Sequence, residues 1–184
     1  DTEGVREMYP FLDFNNARFP IKGGILQRRG GTVRHDAVAW GYARGADGRG
    51  IDIIQNCEVT GIKTVKGKIV GVQTNRGFID CKKLGLAAAG NSSEVAAMAG
   101  LKLPIESHVL QAFVSEGLKP YIDGVVTFGA GHFYVSQSDK GGLVFGGDID
   151  GYNSYARRSK LPMVEHVIEP GVAMIPGLAR VRVL

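Results

Sequence analysis

Apolar residues recur with two different periods along this chain, and the change of period marks out its elements. Over 36–46, Val38 and Tyr42 lie four apart, as do Ala39 and Ala43. That spacing places them on one side of a helix, with Asp36 in the first turn, where its charge suits the helix dipole. Gly48 to Gly50 end the helix. Alternating apolar and polar residues then predict strands at 51–59, 61–65, 69–74, 77–80 and 83–89. Lys66-Gly67-Lys68 and Asn75-Arg76-Gly77 carry the glycine that a tight hairpin needs, so the middle three strands read as a meander. Ser92 or Ser93 can cap a short helix running to Met98, which Gly100 terminates.

Beyond Pro104 a second set of strands is predicted at 109–116, 125–128, 133–137 and 142–148. A helix over 161–168 follows, beginning near Ser159 and stopping before Pro170. Before residue 36 there is a short helical turn at Val5 to Tyr9, stopped by Pro10, and an irregular glycine-punctuated stretch. The fold class expected is α/β of mixed α+β type. Two parts are expected, 1–104 around the meander and 105–184 around a mixed sheet.

Composition narrows the function classes. The chain has 184 residues, 44% hydrophobic and 22% charged, an ordinary globular balance. No apolar run approaches the ~20 residues of a membrane span, and the start at Asp1-Thr2-Glu3 has no signal-peptide character, so no membrane association is expected. The start at Asp1 without an initiator Met and the end at Val181-Arg182-Val183-Leu184, which reads as mid-strand, suggest an internal fragment. Cys57 and Cys81 sit on separate predicted strands without CxxC spacing, which points to a reducing, cytoplasmic setting. The net charge of +4 comes from scattered basic residues without interleaved aromatics, so no nucleic-acid surface is expected. Glycine, at 27 residues, is about twice its usual ~7% share, a sign of tight turns or close approach to a ligand.

Catalytic motifs based on spacing are missing from the sequence. The runs Gly45 to Gly50 and Gly129 to Gly131 lack dinucleotide-fingerprint spacing, and Gly142 to Gly151 lacks the Lys-Ser/Thr of a P-loop. In Gly90-Asn91-Ser92-Ser93-Glu94 a glutamate stands where a nucleophile elbow has its second glycine. His35, His108, His132 and His166 are scattered, with no HExxH, so no metal site is expected. The residues by themselves leave a glycine-rich mixed α/β protein of unstated chemistry.

Longer stretches carry a resemblance. Arg34-His35-Asp36-Ala37-Val38-Ala39-Trp40, the run from Gly50 to Gly61, Gly71-Val72-Gln73-Thr74 and Ala88-Ala89-Gly90-Asn91-Ser92-Ser93 resemble the D-amino-acid-oxidase-like flavoproteins. Within that superfamily they are similar to the beta subunits of heterotetrameric sarcosine oxidases. Ser107 to Glu116 and Tyr134-Val135-Ser136-Gln137 support the likeness.

The resemblance implies a partial FAD-binding domain over 1–104 and a partial substrate-binding domain over 105–184. The dinucleotide-binding βαβ unit and the C-terminal flavin-contacting segment would lie outside the sequence. It implies FAD held noncovalently, with Val59 giving backbone contacts to the adenine and Gly90 letting the backbone approach the cofactor. An FMN would be attached through the His35 ring, with Arg34 near its phosphate, and His132 and Tyr134 would border the pocket of a small amine substrate. Asn91 departs from the tryptophan or histidine common at its position. The implied reaction is oxidation of N-methylglycine by hydride transfer to FAD. Electrons would pass through FMN to oxygen, giving glycine, formaldehyde or methylene-tetrahydrofolate, and hydrogen peroxide, in assembly with alpha, gamma and delta subunits. The fragment alone is expected to hold no cofactor, to be inactive and to self-associate. Two alternatives stay open: an FAD-only N-methyl amino acid dehydrogenase in which His35 is incidental, and a non-catalytic module that binds a partner subunit.

Overall fold

The computed structural model describes residues 1–16 and 18–184. The chain divides into two compact units. One comprises Asp1–Thr32, Val109–Gly151 and Ala156–Leu184, and the other Val33–His108 with Tyr152–Tyr155. Both are mixed α/β, each built on an antiparallel sheet.

In the first unit, helix α1 (Thr2–Met8) is capped by the Asp1 carboxylate, which accepts from Gly4 N at 2.8 Å. Strands β4 (Leu110–Gly117), β5 (Val125–Phe128), β6 (Phe133–Gln137) and β7 (Gly142–Ile149) form one sheet in the order β4-β7-β6-β5. Period-two alternation turns Gln111, Phe113 and Ser115 of β4 and Phe133 and Val135 of β6 to the buried face. Helix α4 (Leu161–Met174) covers that face with Val167, Pro170, Gly171 and Met174. A side chain at 171 would strike the Phe133 ring at 2.5 Å, so the glycine lets helix backbone and aromatic ring meet directly. Leu12, Ile122, Leu143, Phe145 and Ile175 complete the core. Burying such side chains stabilises by roughly 1.5–3 kcal/mol each.

The second unit begins with α2 (His35–Asp47), which has no buried residue. The meander follows as β1 (Val59–Val65), β2 (Lys68–Thr74) and β3 (Gly77–Asp80), antiparallel in that order. Lys66 and Gly67 both take positive φ, 48° and 72°, as a two-residue hairpin turn of the favoured hand requires. A short helix α3 (Ser92–Ala97) comes after a 3-10 turn at Ala89–Asn91.

Four expectations need correction. The run 51–59 is not a strand until Val59. Asn56 takes a left-handed φ of 50°, and Ile51, Ile53 and Ile54 are exposed with no strand beside them among the described residues. The run 83–89 is likewise irregular, with Leu84 and Leu86 exposed. Helix α4 continues through Pro170 to Met174 instead of stopping before the proline. Burial of Pro170, Gly171 and Met174 offsets the one missing N–H donor, and the helix is closed at its C-cap by Ile175 N donating to Gly171 O at 2.8 Å. The boundary between the two parts also differs from a single cut at 104, because residues 1–32 pack with 109–184. Leu12 sits in the sheet unit's core, Asp13 N donates to Met174 O at 2.8 Å, and Asn16 Nδ2 donates to Ala173 O at 2.6 Å.

Candidate functional site

Three of the residues singled out from the sequence lie on separate elements of the meander unit, and each is shaped by its local fold. His35 is the first residue of α2 and is exposed, so its ring is open to reaction. Arg34, the residue before it, is extended, with φ −72° and ψ 108°. Its guanidinium forks onto the Asp36 carboxylate, Nη2 to Oδ2 at 2.6 Å and Nε to Oδ1 at 3.2 Å. That bond, joined by the Ala37 backbone N–H, holds the Asp36 carboxyl below its ordinary range. Arg34 therefore reaches a phosphate only by sharing or releasing Asp36.

Val59 opens β1, an edge strand whose one ladder neighbour is β2. An edge leaves alternate backbone N–H and C=O groups outside the ladder, which a backbone-recognised ligand requires. The strand start is held by a reciprocal pair: Glu58 N donates to Asn75 Oδ1, and Asn75 N donates to Glu58 O, both at 3.0 Å. Arg76 Nε donates to Asn56 O at 3.1 Å and ties the preceding loop to the same turn.

Gly90 is the middle residue of the 3-10 turn Ala89–Asn91. The Ser107 hydroxyl donates to its carbonyl oxygen, and Ser93 Oγ donates to Ile105 O at 2.7 Å. No hydrogen bond or ion pair joins His35, Val59 and Gly90 to one another among the described residues. They share a unit.

In the sheet unit, His132 and Tyr134 are not brought together in one cavity. Tyr134 is half-buried on β6, paired across to Gly146 of β7 on the face away from α4. A side chain at 146 would meet the tyrosine hydroxyl at 3.0 Å, so this glycine makes room for the ring. His132 precedes the strand in a left-handed conformation, φ 48°. It lines a cavity of about 310 Å³ with Arg18, Phe19, Asp148, His166 and Pro170. Sequence reasoning missed this polar cavity, because its members are far apart in the chain and form no motif. Its polar side chains have partners: His166 Nδ1 lies 3.1 Å from Asp148 Oδ2, and Arg18 pairs with Glu169. No three His, Cys, Asp or Glu side chains among the described residues are grouped as metal ligands would be. No helix among them is long and apolar enough to cross a membrane.

The residues fit a flavin in two respects, an exposed imidazole at the start of α2 and a glycine at 90 that puts no side chain beside its backbone. Comparison with known proteins gives that fit a context. The family described as FAD dependent oxidoreductase matches residues 1–183. The chain is 82% identical over 180 residues to a sarcosine oxidase subunit beta of Rhizobium meliloti, covering 98% of this chain and 43% of that protein. Against the sarcosine oxidase subunit beta of Rhodobacter capsulatus identity is 50%, covering 98% of this chain and 44% of the relative. The chain thus spans less than half the length of these relatives. An L-proline dehydrogenase structure from P. horikoshii superposes with a TM-score of 0.82 at 25% identity, covering 99% of this chain and 49% of that one.

Proposed function

The chain belongs to the FAD dependent oxidoreductases, and from that premise we propose that the complete polypeptide carrying it is the beta-type subunit of a multi-subunit sarcosine oxidase. The observation that carries this reading is the 82% identity to the Rhizobium meliloti protein over 98% of the chain. The substrate is N-methylglycine, and the assembly includes alpha, gamma and delta subunits in a reducing cytoplasm.

In this reading bound flavins would supply the redox chemistry, FAD as hydride acceptor and FMN as the route of electrons to oxygen, by which sarcosine, water and oxygen would yield glycine, formaldehyde and hydrogen peroxide, or methylene-tetrahydrofolate where a folate takes the one-carbon unit. The protein positions these groups. His35 anchors the FMN through a ring nitrogen, which its exposure at the start of α2 permits. Arg34 turns from Asp36 toward the FMN phosphate, exchanging one bidentate oxyanion partner for another. The edge backbone at Val59 receives the adenine, and Gly90 lets the chain approach the cofactor. Tyr134, on the sheet face away from α4, borders the amine pocket, a role that His132 shares less readily from its separate cavity. Alone, the 184 residues are expected to be inactive and to self-associate through exposed apolar side chains such as Trp40 and Tyr42.

Peptide mass spectrometry of the complete polypeptide, assembled with its partner subunits, tests the proposal. The peptide containing His35 is expected to carry a flavin-mass adduct. An unmodified peptide from a fully active, FAD-only enzyme would overturn the FMN assignment and favour the dehydrogenase alternative.

A further inference from the structure

The turn at Ala89–Asn91 places its glycine where the backbone does not need one. Ala89 has a left-handed φ of 45°, a conformation that disfavours an L side chain and suits glycine. Gly90, the next residue, has no such φ. Packing within the chain does not demand it either. A Cβ at 90 would meet Ser107 Oγ at 3.4 Å and Ser107 Cβ at 3.9 Å, both ordinary contacts. The Ser107 side chain is thus what lies against the Gly90 Cα, and the chain itself would tolerate a Cβ there.

The peptide group that follows is held at both ends. Its carbonyl, Gly90 O, accepts from the Ser107 hydroxyl, and its N–H, on Asn91, donates to Ala88 O at 2.9 Å. Ser107 is itself fixed from behind, where its own carbonyl accepts from Ser154 N at 2.8 Å. A second tie between the same two segments runs from Ser93 Oγ to Ile105 O at 2.7 Å. Removing the Ser107 hydroxyl therefore releases the carbonyl end of the Gly90–Asn91 peptide, leaving only the Asn91 N–H bond to Ala88 O, without deleting a core contact, because Ser107 is only half-buried.

We infer that Ser107 is a positioning residue for FAD, holding the Gly90 backbone in the orientation in which it approaches the cofactor. This rests on the proposal that Gly90 faces FAD. Preorganised backbone contributes to binding by sparing the ordering that a free loop would need on association. One hydrogen bond's net contribution then sets the scale of the effect, about a three- to tenfold change in affinity.

The test uses the complete polypeptide with its subunits, in three variants: Gly90→Ala, Ser107→Ala and Ser107→Thr. FAD dissociation constants, the visible absorption bands of bound flavin and the melting temperature of the FAD-free protein are measured for each. Gly90→Ala is expected to weaken FAD binding by more than about tenfold with no change in the FAD-free melting temperature. Ser107→Ala is expected to raise the dissociation constant about three- to tenfold and shift the flavin bands, and Ser107→Thr, which keeps the hydroxyl, to restore both. Wild-type affinity and spectrum in Ser107→Ala, with Gly90→Ala impaired, would overturn the role of Ser107 and leave the Gly90 reading standing. Wild-type FAD binding by Gly90→Ala would overturn that reading and this inference together. Loss of FAD-free stability in Ser107→Ala, without rescue by threonine, would reduce Ser107 to a structural bond.

Discussion

The two compact units differ in where their apolar side chains go. The sheet unit gathers ten buried apolar residues into one cluster, with Val135 and Leu143 fully shielded from solvent. Among the described residues, the meander unit buries only Val72 and Ala96 of its apolar side chains, while Trp40 is 58% exposed and Tyr42 79%. Both have well-formed local structure. Hydrogen-bonded ladders and helices can therefore form where little core exists, but the sheet unit has a far larger reserve of hydrophobic stabilisation. The meander unit keeps most of its apolar residues outside any core, whereas the sheet unit combines a closed core with exposed apolar side chains such as Ile25, Leu110, Ile149 and Leu161.

The largest test of this contrast is a matched pair of truncations. Phe133→Ala should cost the sheet unit about 3–5 kcal/mol in urea denaturation, because the ring is buried against the α4 backbone at Gly171. Trp40→Ala, in the same 184-residue chain, should change stability by less than about 0.5 kcal/mol. Equal costs would sink the contrast. Hydrogen exchange sharpens it at intermediate scale. Amides of β6 and β7 should be the slowest to exchange, and those of 51–58 and 83–88 should exchange near the open-chain rate in these 184 residues and slow in the complete polypeptide. Fast exchange of the latter in both would mean that they stay uncovered.

The smallest effect belongs to the fully exposed first turn of α2. Asp36 is depressed below the ordinary aspartate value of 3.8, chiefly by its bond to Arg34. Its contribution is present above 3.8 and lost as pH falls through the lowered value. An NMR titration should place the Asp36 midpoint below 3.8 and move it upward in Arg34→Gln. An unmoved midpoint would remove Arg34 as the cause.

Local signals located most elements, because turn chemistry and periodicity act within a few residues. The turn at Lys66 and Gly67 and the existence of a strand at β4 were both legible in this way. The runs 51–59 and 83–89 were misread because alternation reports a preference for an apolar face, whereas a strand exists only beside a partner. Packing of 1–32 with 109–184 left no local trace, since it depends on contacts such as Asn16 to Ala173, 157 positions apart. His35, Arg34, Val59 and Gly90 were found by resemblance to a family and not by chemistry visible in the residues. The Ser107 tie to Gly90 and the pairing of His166 with Asp148 needed coordinates.

The interrupted sheet unit has a consequence for synthesis on the ribosome. Asp13 and Asn16 are made before the meander unit, but the helix end they dock against, at Ala173 and Met174, emerges about 157 residues after Asn16. At ~5–20 residues per second, that is a wait of roughly 8 to 30 s. During it the first segment's aromatic residues have no finished surface to join, and the entire meander unit can form in the interval. Of these residues, 1–32 should therefore be exposed to chaperones longest during synthesis, and a pause before residue 174 would extend that exposure.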